Sequence, residues 1–129
     1  MAIARDTTAA NIKPVNPSVT IVRKGTLGDT TAAGEIVELQ SDGYWDPAVA
    51  TGVVMNGGIA LQAGVVGDVI DIVVFGPVLC LTGATPGAIV YVSDTAGEPA
   101  ETAGTKSAVI GFAESATVLF VNFQTVAFS

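Results

Sequence analysis

Histidine is absent from this 129-residue chain, and cysteine occurs once, at Cys80. Without histidine the chain lacks the commonest general base at neutral pH and the commonest transition-metal ligand. Neither a Ser-His nor a Cys-His nucleophile can be assembled from it. One thiol cannot close an intrachain disulfide or, without histidine, complete a typical structural zinc site. Cys80 lies in the apolar run VLCL, where a buried, inert thiol is the expected state. Charged residues make up only 13% of the chain and apolar ones 50%, which excludes disorder for most of it and leaves a surface rich in apolar atoms. Such a surface suggests cover by a partner. Long apolar runs are missing too, and no basic leader precedes a shorter one, so neither membrane spanning nor secretion is expected. The chain reads as made in the cytoplasm.

Carboxylates are the remaining candidates for chemistry. Asp42 with Asp46 in SDGYWDP, and Asp94 with Glu98 and Glu101 in SDTAGEPAE, form two clusters. Calcium needs several oxygen ligands at alternating loop positions and a closing bidentate acid, a spacing neither stretch has. Both read as turns in which Asp caps its own backbone and Gly takes the unusual dihedral. Asp68 and Asp71 lie three apart, on opposite faces of a strand, which is poor geometry for an acid-base pair. The glycines do not form a phosphate-binding loop, since neither the P-loop spacing nor a GxGxxG opening a helix occurs. No enzymatic activity, metal or cofactor is expected.

Positive charge is scarce and unevenly placed. Arg5, Lys13, Arg23 and Lys24 fall in the first 24 residues against the single acid Asp6, giving +3, whereas the remainder holds eleven acids against Lys106, giving −10. An acidic body repels phosphates, and four cations without interleaved aromatics make a poor nucleic-acid site. A basic segment on an acidic body can instead lie on an acidic neighbour. Residues 1–18 show no helical or alternating period and contain Pro14 and Pro17, so they are expected to form an extended N-terminal arm. The arm precedes a single β domain over 19–129.

From Val19 onward short β-branched runs alternate with Gly, Asp, Thr and Pro clusters, the pattern of strands and turns. About eight short strands are expected, near 19–24, 35–40, 58–62, 69–75, 77–82, 88–93, 107–113 and 117–127, in a small all-β sandwich or barrel. Asp42-Gly43, Asn56-Gly57-Gly58, Gly76-Pro77 and Pro86-Gly87 are the expected reversals. Sliding the sequence by 53 residues aligns 34–75 with 87–128 without gaps: Gly34, Ile36 and Val37 fall on Gly87, Ile89 and Val90, Gly58 and Ala60 on Gly111 and Ala113, and Val73 and Phe75 on Val126 and Phe128. Shared turn and core positions are what two copies of one supersecondary unit would keep.

Tyr44 and Trp45 form the only aromatic pair beside a turn. They suit an interface anchor, because an indole brings large apolar area at low rotamer entropy; the alternative is a plug over one end of a barrel. The final stretch TVLFVNFQTVAF is apolar on both alternations and belongs in a central strand or between subunits.

Taken in order, AGEIVELQSDGYWDPA, GGIALQAGVVGDVIDIVVFG, TPGAIVYVSDTAGEPAETAG and AVIGFAES resemble the segments of small phage-encoded capsid cement, or head decoration, proteins. The resemblance covers about residues 19–123 and carries no site motif. It implies a structural virion protein on the outside of an assembled shell, contacting the major capsid protein as a homo-oligomer, a trimer favoured and a dimer possible. Partner-binding candidates read from the residues are Arg5, Lys13, Arg23, Lys24, Tyr44 and Trp45, without direct contact to nucleic acid or membrane. A phage fibre or tail module for oligomerisation or receptor binding is the alternative.

Overall fold

Among residues 3–52, 54 and 56–123, which the computed structural model describes, the Val- and Ile-rich runs form strands joined by short turns. They are β1 (Ala4–Arg5), β2 (Lys13–Pro14), β3 (Ile21–Thr26), β4 (Ile36–Leu39), β5 (Trp45–Pro47), β6 (Gly58–Ala60), β7 (Val69–Leu79), β8 (Leu81–Thr82), β9 (Ile89–Val92), β10 (Pro99–Ala100), β11 (Val109–Ala113) and β12 (Val118–Asn122). Helical structure is confined to two 3-10 turns, Ala9–Asn11 and Pro17–Val19. The fold is all-β, a curled antiparallel sheet forming a half-barrel, as the strand-and-turn pattern implies.

One strand organises the rest. β7 was expected as two strands reversing at Gly76-Pro77, but it runs unbroken for 11 residues. Proline is tolerated there because the N–H bond it forgoes faces Val15 beside the short outer strand β2, while its carbonyl still accepts from Val15 N–H at 3.0 Å. Gly76 sits at φ +115, and opposite it the register with β3 shifts, so that Val74 is an extra, bulged residue between the Ile21–Phe75 and Val22–Val73 pairs. The bend lets β7 serve two half-sheets. Its first part pairs with β6 and β3, and its last part with β12 and β2.

The two half-sheets repeat one another. Ile36 pairs with Ile59 and Val37 with Gly58, as Ile89 pairs with Phe112 and Val90 with Gly111. Gly34 N–H donates to Ala60 O at 2.7 Å, and Gly87 N–H to Ala113 O at 2.7 Å, the two glycines at φ +88 and +85. These matches carry the offset of 53. Beyond Ala60 the ungapped alignment fails: Ile59–Val73 corresponds to Phe112–Phe120, and Ala60–Ile72 to Ala113–Leu119, at an offset of 47. The hairpin after β6 is simply longer. In this register Val73 answers to Phe120, and Val126 and Phe128, which the ungapped alignment sets against Val73 and Phe75, lie outside the described residues.

The N-terminal segment is packed along the body rather than projecting from it. β1 pairs with β8, β2 pairs with β7, and Ile12 is buried in the main core. The last part of β7 would otherwise show an unpaired edge, and β2 covers it. Strands β5 and β10, three and two residues long, were missed because runs that short carry no period.

Two apolar clusters result. The larger joins Ile36, Ile59 and Val73 to Val78, Val90, Ile110, Leu119 and Val121, and the smaller holds Leu27, Val37, Ala60, Ile70 and Ile72 under Trp45 and Val74. Glycine at 58 and 111 is dictated by approach: a Cβ at Gly58 would meet Val73 O at 2.7 Å, and one at Gly111 would collide with the Phe120 carbonyl. Gly111→Ala is therefore expected to cost about 2–4 kcal/mol in urea unfolding, while Gly52→Ala, whose Cβ meets nothing within 4 Å, should stay within about 0.5 kcal/mol. Removing residues 1–18 uncovers the Ile12 site and one edge of β7, and should lower stability by at least about 2 kcal/mol, read from the shift of the same urea midpoint.

Candidate partner-binding surface

The six candidate residues fall into three situations. Arg5 is occupied: its Nε lies 2.8 Å from Glu98 Oε2 and its Nη1 donates to Ala33 O at 3.2 Å, with the side chain 16% exposed. It clamps the N-terminal segment to the chain's own body. Lys13, on β2, is exposed beside the end of β7. Arg23 and Lys24 lie on β3, and Tyr44 and Trp45 pack against the end of the same strand, at Gly25, Leu27 and Gly28.

That contact is local in origin. Trp45 forms a parallel bridge with Leu27, and Gly28 N–H donates to Trp45 O at 2.9 Å. Its indole lies where a Gly25 side chain would begin, 2.6 Å from that Cβ position, so the half-buried ring closes the smaller core. Trp45 thus packs inward, as the plug reading had it, and Tyr44 beside it is exposed.

Arg23 and Lys24 stand on the outermost strand of the first half-sheet. Among the described residues β7 is the only strand with a ladder to β3; the other edge is bridged to β5 just past the end of β3, through Leu27 and Gly28, and is open along Ile21 to Lys24, all of them exposed. In the second half-sheet the last part of β7 takes the place of β3, with Val22, Arg23 and Lys24 answering to Pro77, Val78 and Leu79, and β2 covers its outer edge. The open edge is cationic on one side only. Lys24 Nζ lies 2.7 Å from Asp71 Oδ1, and that ammonium holds the Asp71 carboxyl below its usual range. The pair is exposed and contributes little stability.

Next to this edge the longer hairpin carries Val65, Val66 and Val69, 56–66% exposed, on a tip held by the Asp68 carboxylate accepting from Val65 N–H at 2.9 Å. The tip abuts Leu27, which exchanges backbone bonds with Gly67 and Asp68. Sequence reasoning left 63–68 between two strands and did not single out its valines, since two apolar residues between glycines carry no period. A second apolar surface was also missed, the row Ile89, Phe112, Phe120 and Phe75 on the outer face of the second half-sheet.

The acidic clusters resolve into turns and braces. Asp42 Oδ1 accepts from Tyr44 N–H, Asp94 from Thr105 N–H and Oγ1, Glu101 from Thr85 N–H and Oγ1, and Glu98 pairs with Arg5. No group of three metal-ligating side chains occurs among the described residues. Burial pushes the Cys80 thiol up to about 12, so it stays protonated. An open hollow of about 320 Å³ lies between Leu39, Trp45, Asn56, Gly57, Val74, Asn122 and Phe123. No ionisable group lines it, and its Asn56 amide is spent on the Leu39 backbone.

No family model matches the chain, and no curated protein is matched by it.

Asp46 stands apart, with Oδ1 buried and unbonded. Burial raises its pKa, and Asp42 and Asp29 raise it further. A folded-state pKa above the unfolded one means that the ionised carboxylate destabilises the fold at neutral pH, and that the penalty disappears as pH falls through the folded value. Asp46→Asn should therefore stabilise the protein by about 1 kcal/mol at pH 7. In urea unfolding the gain should vanish below the ordinary value of 3.8.

Proposed function

We propose that this chain is a structural virion protein that binds the outer surface of a phage capsid and stabilises the shell. The observation that carries the reading is the open, cationic outer edge of β3 on a chain of formal charge −7. An open edge offers unpaired backbone N–H and C=O groups to an extended segment of a neighbour, and backbone bonding of that kind needs little side-chain specificity. Arg23 and Lys24 bias the choice toward an acidic strand. The exposed valine tip and Tyr44 add apolar contact beside it. The resemblance to cement proteins supplies the partner, the major capsid protein, and the edge supplies the means.

On this reading the uncovered edge of β3 carries the contact, while Arg5 is engaged with Glu98 and the Trp45 ring packs against the smaller core. Repetition on a lattice then compensates for weak single contacts, since each bound copy sits among many identical sites at high effective concentration.

Co-sedimentation with emptied phage heads tests the reading. The unaltered protein should pellet with shells and dissociate progressively as salt is raised. Arg23→Glu combined with Lys24→Gln should weaken attachment at least about tenfold while leaving the thermal midpoint within a few degrees. Failure of the unaltered protein to decorate shells, with binding instead to a fibre chain or host surface, would replace the capsid assignment with the fibre or tail alternative.

A further inference from the structure

The outer face of the second half-sheet bears an uninterrupted apolar row. Ile89 pairs with Phe112, Phe112 with Phe120, and Phe120 with Pro77; Phe75 joins Phe120 edge-on at 5.2 Å between ring centroids, and Ile21 lies opposite Phe75. Phe112 and Phe120 stack at 5.4 Å. Phe75, Phe112, Ile89, Ile21, Val19 and Val15 are 38–53% exposed. No member of the row is charged, and in the adjoining row Glu114–Val118–Leu79–Lys13 the two charges, of opposite sign, lie at its two ends.

The internal repeat shows what this face is for. Ile36, Ile59 and Val73 occupy the same ladder positions in the first half-sheet and are 1%, 1% and 0% exposed. They are covered by the second half-sheet, through Val90, Leu119 and Val121. Among the described residues, their counterparts Ile89, Phe112 and Phe120 have no such cover, since each half-sheet is already used. A second chain can supply the like cover.

We infer that this row is the face on which a second copy of the chain docks, sheet face to sheet face, as a twofold dimer. Charge supports a like partner: two copies that are each strongly acidic can approach without burying like charges only through a face that carries none. Size supports it as well. Six side chains of about 150–200 Å² each, roughly half exposed, give about 500 Å² per copy and about 1,000 Å² for a pair, the lower bound of a specific interface. A face meeting its own copy is self-complementary and closes at two. Edge pairing through β3 is disfavoured for a like partner, because Arg23 and Lys24 would confront themselves. The inference is independent of the capsid reading, since it concerns the purified chain alone.

Sedimentation equilibrium on the full chain from about 1 to 100 µM tests it, the range in which an interface of this size gives a measurable dissociation constant. The expected result is a dimer of the 12.9 kDa chain at the upper end. Phe112→Asp and, separately, Ile89→Lys should weaken it at least about thirtyfold, both sites being exposed enough to leave the thermal midpoint within a few degrees. A monomer throughout, a dimer indifferent to both substitutions, or a trimer overturns the proposal. None of these results bears on whether the chain binds shells, which the co-sedimentation assay reads separately.

Discussion

Backbone hydrogen bonding along both edges of β7 is the constraint on which the remainder depends. An isolated two-strand ribbon is marginal in water, so each half-sheet needs neighbours, and β7 supplies a shared member to both. Sharing a strand between two packed sheets requires a sharp change of direction without losing bonds on either side. The bulged Val74 and the positive φ of Gly76 provide it, and Thr20 and Val19 pass so close to Gly76 that a Cβ there would lie 2.9–3.0 Å from their backbone. With β7 bent, Val73 and Val78 both enter the larger core, although five residues apart they would face opposite ways on a regular strand.

This dependence also explains which parts of the fold were legible in the sequence. β-branched runs identified the strands whose faces are buried, because burial and period act over several residues. Asp42-Gly43 and Pro86-Gly87 gave true turns, with Gly43 and Gly87 at positive φ. Gly76-Pro77 carried the same local signal and was misread, since a bend inside a shared strand and a reversal demand the same dihedral freedom. The distinction lies in β12 and β2, which pair with β7 from positions far along the chain. Likewise the repeat was visible where glycines fix the geometry, and blurred where the hairpin after β6 is longer.

The candidate surface was less legible for a different reason. Exposure of Arg23 and burial of the Arg5 guanidinium follow from which strand edge the N-terminal segment occupies, a tertiary fact that charge counting does not contain. Composition located the cations in the first 24 residues but could not divide them between a clamp and an open edge. The Ile89, Phe112 and Phe120 row is harder still. Its residues resemble those of Ile36, Ile59 and Val73, and only the way the two halves stack makes one set core and the other surface.

That stacking is asymmetric, and the asymmetry shapes how the molecule can meet others. Two identical half-sheets packed by equivalent faces would bury both rows and leave two edges alike. Here one half covers the other, and β2 closes one edge but not its counterpart, so among the described residues an uncharged face and a cationic edge remain. Their physics differ. Apolar contact on the face is insensitive to salt and favours a like partner, whereas the edge, bearing Arg23 and Lys24, repels its own copy and favours an acidic strand. Cations on an outer strand thus do two things at once. They oppose open-ended edge association between copies, and on the proposed reading they select an acidic partner for that edge.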